Sequence, residues 1–130
     1  MKIGEAAAES GVSAKMIRHY EEYGLITRVG RTVAGYRTYG EPEVNVLRFI
    51  RRGRDLGFSM KEIKELLGLW HNRRRASADV KRLAERHMRE LDARIAQMQA
   101  MRRALLQLSH DCRGDDRPDC PILDDLAGQP

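Results

Sequence analysis

A mainly α-helical fold, with a helix-turn-helix and a small β-wing in front and one long helix behind, is predicted by three features of the 130-residue sequence. Two short helical segments meet at Gly11, with Ser13 placed to cap the second. A stretch from Arg28 to Tyr39 carries Gly30 and Gly35 between short β-prone runs. Finally, Ser77 to Ser109 contains neither Gly nor Pro while its apolar residues keep a helical repeat.

Ile3 to Ser10 is expected as a short helix with Ala6 and Ala7 turned inward and Gly11 as its stop; Ala14 to Tyr23 is the second. Gly24-Leu25-Ile26 ends it. The wing turns near Thr32 to Gly35 and returns through Tyr36-Arg37-Thr38-Tyr39. Pro42 suits a first helical position, so the next helix is expected from Glu43 to Leu56, burying Val44, Leu47, Ile50 and Leu56. After Gly57-Phe58, Ser59 caps a helix from Met60 to Leu69, with Glu62 in its first turn. Asn72-Arg73-Arg74-Arg75 is a polar break, and the generic alternative for residues 1–75 is a plain small helical bundle.

The helix after the break would be roughly 45–50 Å long. Val80, Ala84, Leu91, Met98 and Leu105 form its main apolar line, with Met101 and Leu108 on the neighbouring line and Ile95 beside it; His87 and Arg94 interrupt that second line. Such a seam predicts helices meeting across a homodimer, against the alternative of folding back on its own domain. The expected division is therefore 1–75, 76–109 and 110–130.

Composition narrows the function. Hydrophobic residues make up 42% and aromatics 5%, so the core rests on aliphatic side chains. No apolar run approaches the roughly 18 residues that cross a bilayer, so no membrane is expected. The chain opens polar, with no basic-then-apolar leader, which predicts a cytoplasmic protein whose two cysteines stay reduced. Charge is unevenly spread: 15 Lys+Arg face 9 Asp+Glu in residues 1–75, whereas 2 face 6 in residues 109–130. A basic front suits a polyanion.

Lys15, Arg18, His19 and Tyr20 lie at or near the start of the second helix, where a helix-turn-helix presents side chains to the major groove of double-stranded DNA. Arg31 and Arg37 bracket the wing, with Tyr36 beside the latter, offering cations and a hydroxyl to phosphates. Arg48, Arg51 and Arg54 share a helical face. Alone, such a face is ordinarily just solvated; beside a helix-turn-helix it adds to a DNA-binding reading.

These residues carry a resemblance. Ile3-Gly4-Glu5-Ala6-Ala7 with Ile17-Arg18-His19-Tyr20-Glu21-Glu22-Tyr23-Gly24-Leu25-Ile26 resembles the N-terminal signature of the MerR family. Gly35-Tyr36-Arg37-Thr38-Tyr39 and Leu56-Gly57-Phe58-Ser59-Met60-Lys61-Glu62-Ile63 extend it, and the segment from Cys112 to Ile122 resembles the family's copper-efflux branch. The resemblance implies a winged helix-turn-helix DNA-binding domain, a long antiparallel coiled-coil dimerisation helix, and a C-terminal metal-binding loop with a short helix. It implies a homodimeric activator, not an enzyme, that distorts an overlong promoter spacer for RNA polymerase. On the same basis Lys15, Arg18, Tyr20, Arg31, Tyr36, Arg37 and Arg54 are expected DNA contacts.

Cys112 and Cys120 are the only cysteines, separated by seven residues that include Gly114 and Pro118. Cys120 precedes Pro121, which suits a first helical position, so its sulfur is expected at an N-cap, where thiolate is favoured. Ile122, Leu123 and Leu126 form the apolar side of that short helix. Two thiolates around a monovalent ion leave a net charge of −1; soft sulfur favours Cu(I), and equally Ag(I) or Au(I). Zn²⁺ ordinarily takes four ligands, and only His110 and nearby aspartates are at hand to supplement two sulfurs. The resemblance adds that divalent-sensing relatives carry a cysteine at the start of the long helix, where this chain has Ser77. Ser77, Asp119 and Pro121 are thus expected around the ligands without ligating. A divalent or redox sensor, a disulfide, a copper buffer and a thiol enzyme remain as alternatives, the last without any His/Asp constellation in support.

Overall fold

The computed structural model describes residues 1–26, 30–31, 33–35 and 37–128, with Arg31 and Arg37 described by their backbone alone. Two compact units partition the chain, Met1–Val80 and Lys81–Pro130.

In the first unit, α1 (Ile3–Ser10) and α2 (Ala14–Tyr23) lie as the spacing predicts. Gly11 ends α1 at φ 75°, a left-handed conformation that glycine adopts without the Cβ penalty. The buried Ser10 hydroxyl accepts from the Val12 amide at 3.2 Å, and Ser13 accepts from Met16 at the same distance. The turn's polar groups are thus satisfied locally, which lets α2 leave at a defined angle. α1 packs against both α2 and α3.

The wing is an antiparallel pair, β1 (Gly30–Arg31) and β2 (Arg37–Thr38), in register Gly30 with Thr38 and Arg31 with Arg37. β2 ends at Thr38, one residue before the predicted Tyr39, and Tyr36 lies outside the described residues. Tyr39, which follows β2, is fully buried.

α3 (Glu41–Asp55) starts two residues before the expected Glu43. Gly40 is its N-cap, and the Glu43 carboxylate accepts from the Gly40 amide at 2.8 Å, which satisfies an end-group donor and places Pro42 second in the helix. Val44, Leu47 and Ile50 are buried as expected, but Leu56 is 47% exposed. Leu56 is the C-cap of α3, so it has already left the helical face that carries the core. α4 (Met60–His71) opens on a reciprocal cap between Ser59 and Glu62 at 3.1 and 2.9 Å and runs two residues past Leu69. Gly53 lets α3 and α4 approach closely, since a Cβ there would lie 3.1 Å from Ile63. Phe49 and Trp70 stack between these helices with ring centroids 4.6 Å apart.

α5 (Ser77–Asp111) is 35 residues long, ending two residues beyond the predicted Ser109. The second unit contains most of it, the loop 112–120, and α6 (Pro121–Leu126). No helix among the described residues is long and apolar enough to cross a membrane.

Candidate functional site

Three of the four expected residues on α2 are at the surface. Lys15, Arg18 and His19 are exposed, because Ile17 and Tyr20 take the inward positions of an amphipathic helix. Tyr20 departs from the expected contact set: it is only 5% exposed and belongs to the core. Tyr36 and the side chains of Arg31 and Arg37 lie outside the described residues.

The arginines of α3 do not form one free cationic face. Arg48 donates to the Glu9 carbonyl at 3.2 Å, and the Arg51 guanidinium lies against Gly11 so closely that a Cβ there would sit 1.8 Å from Nη1. Two cations thus serve the C-terminal end of α1, where unpaired carbonyls concentrate negative potential. Arg54 donates to the Phe58 carbonyl at 2.9 Å and clasps the turn between α3 and α4 while remaining exposed. Sequence periodicity had grouped these three by face; their partners are set by long-range packing.

The two cysteines mark the two ends of the 112–120 loop. Both are free thiols and both are half-buried. Cys112 directly follows α5, its amide donating to the Leu108 carbonyl at 3.1 Å. Cys120 is the N-cap of α6, as predicted, with Pro121 in the first helical position and the Cys120 carbonyl accepting from Asp124 at 3.0 Å. Its side chain makes no capping bond, so the sulfur is not committed to the helix end. Among the described residues, no group of three clustered His, Cys, Asp or Glu donor atoms includes either thiol. His110 lies in the last turn of α5, Asp119 is exposed, and Ser77 is the exposed first residue of α5.

Between the thiols the chain folds on itself. Arg117 donates from Nε and Nη2 to Asp115 Oδ2 at 3.0 and 2.8 Å, and from its backbone amide to Oδ1 at 3.0 Å. The guanidinium holds the Asp115 carboxyl below its ordinary 3.8, and the backbone bond adds to the effect. Alternate residues from Asp111 to Pro121 line a hollow of about 240 Å³ beside this turn. Sequence reading considered the nearby aspartates only around the metal and missed this pairing; the i, i+2 spacing of opposite charges was its one available sign.

Along α5, Leu83 and His87 are buried, and Val80, Ala84 and Leu91 are half-buried. Farther on, Met98 is 66% and Leu105 56% exposed, and Ile95, Met101 and Leu106 are similarly open. Sequence reading omitted Met88 and Leu106 from this exposed apolar set.

The same architecture recurs in characterised proteins. A model described as "MerR HTH family regulatory protein" matches residues 1–69, and one described as "MerR, DNA binding" matches residues 44–108. Heavy metal-dependent transcription regulator 2 of Rhizobium meliloti (strain 1021) is 58% identical over 127 residues, covering 98% of this chain and 86% of the relative. HTH-type transcriptional regulator CueR of Salmonella typhimurium is 43% identical over 128 residues, covering 98% and 93%. A transcription regulator from Ralstonia metallidurans, solved in complex with lead(II), superposes with a TM-score of 0.84 at 28% identity, covering 97% of this chain and 98% of its own. Two family models spanning the head and most of α5, together with relatives this similar over nearly the whole length, place the chain in the MerR family of helix-turn-helix regulatory proteins.

Proposed function

We propose that this chain is a metal-responsive transcription regulator that senses Cu(I), and equally Ag(I) or Au(I), through Cys112 and Cys120. The observation that carries the reading is a pair of free, half-buried thiols bounding one short loop with no three-donor group around them among the described residues. That donor set fits a soft d¹⁰ monovalent ion, which two thiolates satisfy, better than Zn²⁺, which ordinarily takes four ligands. Relatives named as heavy metal-dependent regulators and as CueR support the same class. Ser77 at the start of α5, in place of a further cysteine, agrees with a site that adds no third sulfur; Asp119 and Pro121 shape the loop without ligating.

The exposed Lys15, Arg18 and His19 bind double-stranded promoter DNA, with Arg31, Tyr36, Arg37 and Arg54 as further contacts and Tyr20 supporting α2 from the core. Val80, Ala84, Leu91, Met98 and Leu105 of α5 pack against a second copy as an antiparallel pair, because the line continues into exposed apolar residues at Met98 and Leu105 that call for a cover. The units 1–75, 76–109 and 110–130 then act as DNA head, dimer helix and sensor. Bound metal supplies a bridge between the end of α5 and the start of α6. The chain's own part is to convert a changed position of α6 into a changed angle between two DNA heads, distorting the promoter for RNA polymerase. Such coupling requires two states that differ in metal affinity.

Titration with Cu(I) against a competing chelator, with Cys112→Ser and Cys120→Ser beside the unsubstituted protein, tests the reading. Each substitution is expected to abolish metal-induced transcription and leave metal-free operator binding largely intact. A bound ion with three or four ligand atoms by X-ray absorption, or a divalent ion retained in preference to Cu(I), overturns the copper assignment and leaves a divalent sensor on the same scaffold.

A further inference from the structure

The segment between the two thiols is not a passive connector. Gly114 turns the chain at φ 65°, Asp115 and Arg117 close it with three hydrogen bonds of 2.8–3.0 Å, and Pro118 stiffens the approach to Cys120. Both oxygens of the Asp115 carboxylate are engaged, one by the backbone and one by two guanidinium nitrogens. We infer that Asp115 and Arg117 form a clip that pre-shapes the 112–120 loop before metal arrives and so positions Cys112 and Cys120 for capture. The inference rests on the copper reading above and concerns what sets its affinity.

Exposed ion pairs commonly contribute little, since ordering two long side chains offsets a screened attraction. This pair differs in two respects. Its partners are two residues apart, so little chain is ordered in forming it, and a backbone amide shares the same carboxylate. A turn already formed at Asp115–Arg117 in the metal-free protein leaves less of the 112–120 segment to be ordered when its two ends are bridged.

Charge separates this role from a simple electrostatic one. Two thiolates with one monovalent cation carry a net charge of −1, so Asp115 repels the loaded site and Arg117 attracts it. If the two side chains acted only through their own charges, Asp115→Ala and Arg117→Ala would move Cu(I) affinity in opposite directions, whichever protonation state the free thiols hold. If they act as a clip, both weaken binding, and the double substitution is no worse than either single one.

Asp115→Ala, Arg117→Ala and the double variant are therefore titrated as full-length protein with Cu(I) buffered by a chromophoric chelator. Thermal melts check folding, and nitrogen-15 relaxation of the Gly114, Asp115 and Arg117 amides is read in the metal-free state. The expected result is a loss of about three- to tenfold in affinity, alike in all three, with increased amide motion. Arg117→Lys, which keeps the charge but not the two-nitrogen contact, recovers only part of the loss. Opposite effects of the two single variants, or affinities equal to the unsubstituted protein, overturn the clip while copper sensing stands. Failure of the unsubstituted protein to take Cu(I) overturns the parent reading, and the clip falls with it.

Discussion

The Tyr39 hydroxyl donates to the Glu21 carboxylate, tying the exit of the wing to α2. The same residue's amide donates to the Met1 carbonyl at 2.7 Å, and the Met1 amino group donates to the Tyr39 carbonyl at 2.6 Å. One buried tyrosine thus gathers the chain's start, the wing and the second helix, so the wing's root is held relative to α2. Tyr39→Phe is expected to destabilise the head by about 1–2 kcal/mol, lowering the melting temperature by roughly 5–10 °C. Glu21→Gln, whose amide oxygen still accepts, is expected to cost less; calorimetry of both variants checks the order.

Gly11 combines a left-handed backbone with the overlying Arg51. Gly11→Ala is expected to destabilise by about 1–2 kcal/mol from the backbone alone. Adding Arg51→Ala removes the close approach but not the strain, so recovery in urea denaturation is expected to be partial.

Lys15 is exposed and cationic, suited to a phosphate. Lys15→Ala is expected to weaken operator and non-operator DNA alike and to reduce the slope of log K against log salt by about one. Gel shifts over a salt series measure it. An unchanged slope removes Lys15 from the contact set.

The open apolar line on α5 carries its own test. Met98→Glu or Leu105→Glu places a charge in the proposed seam and is expected to shift the protein from dimer to monomer in sedimentation velocity. A dimer unaffected by either places the interface elsewhere.

Because Arg117 holds the Asp115 carboxyl below 3.8, the clip's contribution is complete above the ordinary carboxylate value and is lost as pH falls through the lower folded value. Between pH 5 and 8 Asp115 is therefore expected to stay ionised and the clip to show no pH dependence of its own. In the carboxyl carbon-13 resonance, Asp115 is expected to titrate below 3.8 in the unsubstituted protein and to move upward in Arg117→Ala.

Much of this molecule was legible without coordinates because its helix ends are local chemistry. Ser13, Ser59 and Pro121 mark starts, and Gly11 and Gly24 mark stops, each through backbone groups within four residues. The α3 start was displaced by two residues because Glu43 reaches back to Gly40, a bond that competes with Pro42 as the visible signal. Leu56 reads as a core residue by period alone, yet lies past the last turn that faces the core.

From residue order alone came the helix-turn-helix, the wing, the uninterrupted α5 and the two thiols at the ends of a short segment, since each depends on neighbours close along the chain. Tertiary packing decided what the surface offers: Arg48 and Arg51 are drawn to the end of α1, Arg54 clasps the following turn while staying exposed, and Tyr20 turns into the core. The physical reason is that helical period fixes which side chains share a face, while the carbonyls and apolar surfaces that capture them belong to elements distant in sequence.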